Sequence, residues 1–418
     1  MGVLELSRVA RHYLSAALLL PTASAVGQLC QRHLKLALIT GFFVSGVLCG
    51  PSCLGFLTSD ALRDLEFIEK VCLGLIGISA GSELRLKELG NVGKQILWLV
   101  LSICVATWVI VFSSTMVLLP KTTLASIVSS DKIPILSSIV ATIMLARSPA
   151  SAVAVLKELE AKGPFATVSL AVIIVKDVIV IVLFSLNLAT ARLSFHREEE
   201  SAIITHALTT LFKINVAAAL GVFGAFVQRK LFSMKIGGER SQRKIGCLYL
   251  VASAAFVFYT SELFGAEPLL ACLVLGATKV NLEPNPTKKD FVSVLHDVMP
   301  TIYMAFFALA GASVHIDTLP HFFQPAFFVY SARLLSLYAG TKIGSKLGGS
   351  AEEHKEIGWM AYVTQAGIAM GLSKSVLLQF PEWAGPFFTF LVCIILMNQV
   401  TGPTMYKAAL TALGETKV

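Results

Sequence analysis

The stretch VSLAVIIVKDVIVIVLFSLNL, residues 168–188, decides how the rest of the chain reads. It is apolar almost throughout and long enough to cross a bilayer as a helix. Its centre nevertheless carries Lys176 and Asp177. At about 1.5 Å of rise per residue, Asp177 lies roughly 14 Å from the start of the run. A hydrocarbon core about 30 Å thick puts that carboxylate near its middle. An acid at such depth is costly. It persists where it faces a partner or a wet cavity, and there it marks an ion or proton pathway.

The whole chain agrees with a membrane setting. Of its 418 residues 55% are hydrophobic and only 14% charged, and the mean hydropathy is +0.75. A soluble protein of this length would be more polar. The reading is an all-α polytopic membrane protein whose residues 1–418 form one transmembrane domain. The formal charge of +8 does not point to nucleic acid. Its Lys and Arg residues sit in short loops between apolar runs, as the positive-inside rule expects, and not on a basic recognition face. The eight cysteines lie in or beside apolar segments without a C-x-x-C pair. That makes them small buried hydrophobes rather than metal ligands or redox groups. No metal site and no cofactor are expected.

About thirteen spans of near-spanning length follow, at 12–30, 34–51, 66–82, 95–119, 133–157, 165–192, 207–228, 246–262, 266–281, 298–315, 322–345, 357–378 and 384–407. They divide as six, one and six: repeat one over 12–192, a linker helix at 207–228, and repeat two over 246–407. With that alternation, loops on the N-terminal side hold roughly 9 Lys and Arg and loops on the C-terminal side roughly 21, which predicts a cytoplasmic C-terminus. The largest basic loop, Arg229–Lys244, falls on the inner side.

The fifth span contains ATIMLARSPASAVAV with Pro149, and the twelfth contains AYVTQAGIAMGLS with Gly367 and Gly371. Proline removes a backbone donor and clashes with the preceding turn. Glycine permits unwinding. Interruptions at matching mid-span positions in two halves predict a pair of broken helices at a binding site. The simpler reading of each, taken alone, is a kink or glycine packing.

Arg147, Asp177 and Arg333 each sit near the centre of a separate span. Each alone costs at least about 2.5 kcal/mol to insert, so the three are expected to share one polar centre. Asp177 can hold a proton or a cation but not both at full strength, which is the minimum chemistry of an antiporter. Lys176 adjoins it but lies about 100° around the helix, so the two side chains do not face each other. Arg147 is a candidate to compensate the partial charges at the fifth-span break. Arg333 is either part of the site or a charge that only holds helices together. Lys213, nearer a span end, is expected to snorkel. Glu83 at an inner span end, and His196 with Glu198–Glu200 in an outer loop, read as solvated loop groups. Ser148 and Ser151 have no paired His or acid at a sensible depth, so the chain is not read as an enzyme.

These residues carry a family resemblance over nearly the whole chain. LKLALITGFFVSGVLCGPSCLG (34–55), CLGLIGISAGSELRLKEL (72–89), ARSPASAVAVLKELEAKGPF (146–165), VKDVIVIVLF (175–184), FFALAGASVHI (306–316) and TQAGIAMGLS (364–373) together resemble the cation:proton antiporter superfamily. Within it they look like the branch of the bacterial potassium-efflux antiporters. The resemblance implies two inverted repeats with crossed, broken helices. It implies a core of spans four to six and eleven to thirteen that moves as an elevator past a dimerisation domain of spans one to three and eight to ten. It makes Asp177 the ion- and proton-binding residue, Arg333 the basic residue of the eleventh span, and Ser148, Pro149, Thr364, Gln365 and Gly367 the helix crossing. The implied partners are a monovalent cation (Na+ or K+), a proton, the lipid bilayer and a second copy of the chain.

Two residues depart from the family pattern. Lys176 stands where many relatives carry Asp, Asn or Gln, and a single aspartate favours electroneutral exchange. Arg147 stands where relatives commonly carry Thr. A hydroxyl can ligate a cation and a guanidinium cannot, so the choice between Na+ and K+ is open. The potassium-efflux members also carry a soluble nucleotide-binding domain after the membrane part; with the sequence ending at Val418, that regulation is expected to be absent or supplied by a partner. Two alternatives stand beside antiport. One is the same fold moving an anion or organic solute, because Arg147, Lys176 and Arg333 outnumber one acid. The other is a non-transporting membrane sensor.

Overall fold

The computed structural model describes residues 19–34, 36–82, 92–122, 128–196, 201–233, 239–282, 285–314, 320–350 and 352–416. Among them every regular element is helical. This is what a bilayer demands, since only helices and closed barrels satisfy their own backbone there. The helices are α1 (19–34), α2 (Leu38–Cys49), α3 (Ser59–Asp64), α4 (Glu66–Ser82), α5 (Gly93–Leu118), α6 (Ile133–Leu145), α7 (Pro149–Glu158), α8 (Pro164–His196), α9 (Ser201–Ser233), α10 (Glu239–Leu263), α11 (Pro268–Leu282), α12 (Asn285–Ala312), α13 (Phe323–Gly348), α14 (Glu352–Ile357), α15 (Gly367–Gln379) and α16 (Ala384–Ala412). A 3-10 turn, Gly358–Tyr362, precedes α15.

Seven stretches among the described residues are long and apolar enough to cross a membrane, and α2, α11 and α15 are shorter apolar helices beside them. The thirteen expected spans include such short segments, and a first span of which only 19–30 is described. The stretch Ser130–Glu158 is the most enclosed, with 94% of its apolar window buried. It is also interrupted between α6 and α7. Irregular backbone at membrane depth is tolerated where protein covers it.

The chain divides into two compact units, each drawn from both halves of the sequence. One holds Met1–Glu88 and Phe212–His315, the other Leu89–Leu211 and Ile316–Val418. In the first unit, α4 packs on α11 and α2 on α12. Both pairs close on glycine. A Cβ at Gly81 would lie 1.9 Å from the Leu273 carbonyl oxygen, and one at Gly276 2.0 Å from that of Ile78. In the other pair, Gly46 faces Ala308 and Gly311 faces Phe43 at similar range. Small residues let membrane helices approach to backbone contact, where van der Waals packing replaces the missing hydrophobic drive. In the second unit α5 packs along α13, and α6 against α8.

The two interruptions differ in detail from the sequence expectation. Pro149 does not sit inside a broken turn. It is the first residue of α7, where no backbone donor is needed. The irregular residues are Ala146–Ser148 before it, because proline disfavours helical backbone in the residue it follows. In the twelfth span the irregular residues are 363–366, and Gly367 begins α15. Gly371 lies within α15 with nothing near its absent Cβ, so it is not a point of unwinding.

Two substitutions test this packing by thermal unfolding in detergent. Gly81→Val is expected to lower stability by about 1–3 kcal/mol through overpacking against α11. Gly371→Ala is expected to leave it unchanged or slightly raised, as for glycine in an open helix interior.

Candidate functional site

All the candidate site residues fall in the second unit. Its two irregular stretches meet directly: the Ser148 N–H donates to the Thr364 carbonyl at 3.1 Å. Each stretch is irregular backbone between a helical segment that stops and one that restarts. Ser148 restarts α7 as its N-cap, its Oγ accepting the Ser151 N–H at 3.2 Å, with Pro149 next in line.

Breaking a helix leaves carbonyls without intrahelical donors. Arg333 on α13 takes up those of both broken helices. Its Nε donates to the Met144 carbonyl at 2.8 Å and its Nη2 to that of Ala146 at 3.3 Å. Its Nη1 donates to the Val363 carbonyl at 2.6 Å and Nη2 to that of Tyr362 at 3.2 Å. A fifth bond runs from Nη1 to Asn398 Oδ1 at 2.7 Å. Asn398 passes the contact on, its Nδ2 donating to Gln365 Oε1 at 3.1 Å. Gln365 Nε2 donates to the Ile143 and Ala146 carbonyls at 3.0 and 3.2 Å. Arg333 is fully buried and these acceptors are all neutral oxygens. Its charge faces the negative ends of two helices. It therefore does the compensating that the sequence suggested for Arg147, and its role is a cap rather than a salt bridge between helices.

Asp177 and Lys176 lie mid-way along α8, 7% and 0% exposed. The Arg147 backbone N–H points at Asp177 Oδ1 across 3.5 Å, so the irregular turn of the fifth span presents a donor to the carboxylate. The Arg147 guanidinium turns elsewhere. Its Nη1 donates to the Ser148 carbonyl at 2.7 Å and its Cζ lies 5.2 Å from the Tyr406 ring centre. Its Nε and Nη2 meet no hydrogen-bond partner among the described residues, nor does Lys176 Nζ, which sits 5.6 Å from the Tyr362 ring centre.

The structure thus brings together Arg147, Ser148, Pro149, Lys176, Asp177, Arg333, Thr364, Gln365 and Gly367 in one unit. The sequence reading missed Asn398, Tyr362 and Tyr406. Asn398 and Gln399 had a signal, as adjacent amides inside the apolar run 384–407. The tyrosines had none, since an aromatic side chain in an apolar span reads as packing. Lys213 is exposed, well inside α9 but at the start of its apolar stretch Leu211–Leu231, where a snorkelling side chain belongs. Glu83 and Glu198–Glu200, the side chain of His196 and residues 234–238 of the basic loop lie outside the described residues.

The fold matches solved transporters over almost its full length. The sodium proton antiporter MjNhaP1 from Methanocaldococcus jannaschii, in its structure at pH 8, is 16% identical with a TM-score of 0.69, over 96% of this chain and 98% of that one. An electron-microscopy structure of the same antiporter gives 18% identity and a TM-score of 0.72 over the same shares. At such identity the likeness speaks for the fold. No curated protein sequence is close enough to match. The sodium/hydrogen exchanger transmembrane family matches residues 16–410.

Removing the cap tests the architecture of the crossing. Arg333→Met is expected to destabilise the purified protein, at about 1–3 kcal/mol for each buried acceptor left without a donor. Arg333→Lys is expected to recover only part, because an ammonium lacks the planar fork that reaches two helix ends. Thermal unfolding of the three proteins checks the order. With its family match covering nearly all of the sequence, the chain belongs to the sodium/hydrogen exchanger transmembrane family, and is an integral, multi-pass membrane transporter rather than an enzyme.

Proposed function

We propose that the protein is a secondary-active monovalent cation:proton antiporter in which Asp177 alternately holds a proton and a cation. One observation carries this reading: a nearly buried carboxylate, mid-way along α8, faces the irregular turn of a broken helix across 3.5 Å. A carboxylate at that depth is stable when neutralised, either by a proton or by a bound cation. Binding one displaces the other.

The division into two units, with the site in only one, supports elevator-type alternating access: the unit of α5–α8 and α13–α16 carries the site, and the other unit provides the homodimer contact. The excess of Lys and Arg in alternate loops supports a cytoplasmic C-terminus. The motif resemblance to the potassium-efflux branch favours K+ as a substrate to be tried beside Na+. Repeat one over 12–192 and repeat two over 246–407 would then be the inverted halves. Lys176 beside a single aspartate supports electroneutral exchange.

A second reading has its own observation. Arg147 Nε and Nη2 and Lys176 Nζ are buried cationic donors without hydrogen-bond partners among the described residues. Such groups favour an anion.

Proton flux in proteoliposomes with an internal pH dye separates the two. Imposed Na+, K+ or Li+ gradients are expected to move protons in the wild type and not in Asp177→Asn. Response to chloride alone, unaffected by Asp177→Asn, would replace antiport with anion transport. Arg147→Thr is expected to change ion preference. Unchanged preference would remove Arg147 from the selectivity apparatus.

A further inference from the structure

The stretch TALGET, residues 411–416, delivers one carboxylate to the helix that carries Asp177. Helix α16 ends at Ala412, and Gly414 follows with φ of +67°. That left-handed residue favours glycine. It closes a C-terminal reversal in which the Glu415 N–H donates to the Leu410 carbonyl and the Gly414 N–H to that of Thr411. The chain then turns to the start of α8. Glu415 Oε1 accepts the Phe165 N–H and Oε2 the Ala166 N–H, both at 2.8 Å, and the Lys162 N–H donates to the Glu415 carbonyl at 3.0 Å. A carboxylate bridging two first-turn amides satisfies orphan donors and meets the positive end of the helix. Gly163 makes room for it: a Cβ there would lie 2.1 Å from Glu415 Cδ.

From this cap a continuous line of contacts leads to the crossing. The Phe165 ring meets the edge of Tyr406 with centres 6.2 Å apart. Tyr406 Oη shares a hydrogen bond with Ser169 Oγ at 2.8 Å, one turn further along α8. The Tyr406 ring also meets the guanidinium of Arg147, and the backbone N–H of Arg147 faces Asp177. The register of α8 against Tyr406 thus bears on the residue that presents a donor to the carboxylate.

We propose that Glu415 is a positioning residue for the exchange site: by clamping the first turn of α8 it fixes Tyr406 and Arg147 relative to Asp177. This rests on the reading of Asp177 as the cation site. If the competent arrangement is held partly by the cap, losing the cap lowers its population and raises apparent KM, while saturating cation restores the rate.

The test compares wild type, Glu415→Ala, Glu415→Gln, Gly163→Ala and the Gly163→Ala/Glu415→Ala double variant, each as full-length protein in proteoliposomes. Glu415→Ala and Gly163→Ala are each expected to raise the cation KM about three- to tenfold, the range of a charge-assisted helix cap. Maximal rate per folded protein should stay near wild type, Glu415→Gln should fall between, and the double variant should be no worse than either single. Unchanged KM, a loss confined to maximal rate, or additive effects would overturn the proposal. Hydrogen exchange at residues 146–148 is read on the same proteins and needs no transport. It should be faster in both single variants, and wild-type protection there would overturn the proposal whatever the flux. Absence of cation-driven flux in the wild type would sink the antiport reading instead, and leaves the exchange result to decide the positioning role.

Discussion

The second unit depends on one guanidinium. Two helical segments stop inside the second unit, and their last carbonyls converge on Arg333. In a membrane such groups cost several kcal/mol each when unsatisfied. Arg333 gives every one of its five hydrogen bonds to this problem, four of them to backbone carbonyls at the two breaks. A lysine could not span both ends, and a neutral amide could not oppose the two helix dipoles. Asn398 and Gln365 extend the same network, so the crossing is a connected set of donors and acceptors. Its stability and its geometry have one origin.

That assignment changes how the remaining charges are read. With Arg333 facing neutral oxygens, the proposed exchange chemistry is left to Asp177 and its nearer neighbours. Arg147 contributes its backbone to the carboxylate and its side chain to Tyr406, so the same residue acts through two separate groups. A threonine there would keep the backbone donor and lose the cation-π contact. Lys176 shares the depth of Asp177 but is directed to the Tyr362 ring. Its charge bears on the site through space.

Most of the architecture was legible because it rests on depth and periodicity. A charged pair in the run 168–188, an arginine in the run 322–345 and a proline in the fifth span each break a simple pattern, and a break in pattern is what a sequence displays. What was not legible depends on direction. Nothing in the sequence says that Arg333 rather than Arg147 faces the carbonyl ends, since both are mid-span arginines. Pro149 was visible as a breaker, but the irregular residues precede it because its ring constrains Ser148. Gly371 looked like a point of unwinding and is an ordinary helical residue. Glu415 could not be found at all, because its partner is the backbone of a helix some 250 positions away.

The claim on which everything else stands is that one carboxylate exchanges a proton for a cation. Equilibrium binding tests it without requiring transport: cation affinity of the purified protein, measured across a pH series for wild type and Asp177→Asn. Competition at a single site predicts that the apparent Kd of the wild type rises about tenfold for each pH unit of acidification once the carboxylate is mostly protonated, and that the variant loses both the binding and its pH dependence. A wild-type cation affinity independent of pH, or binding that survives in Asp177→Asn, would contradict it.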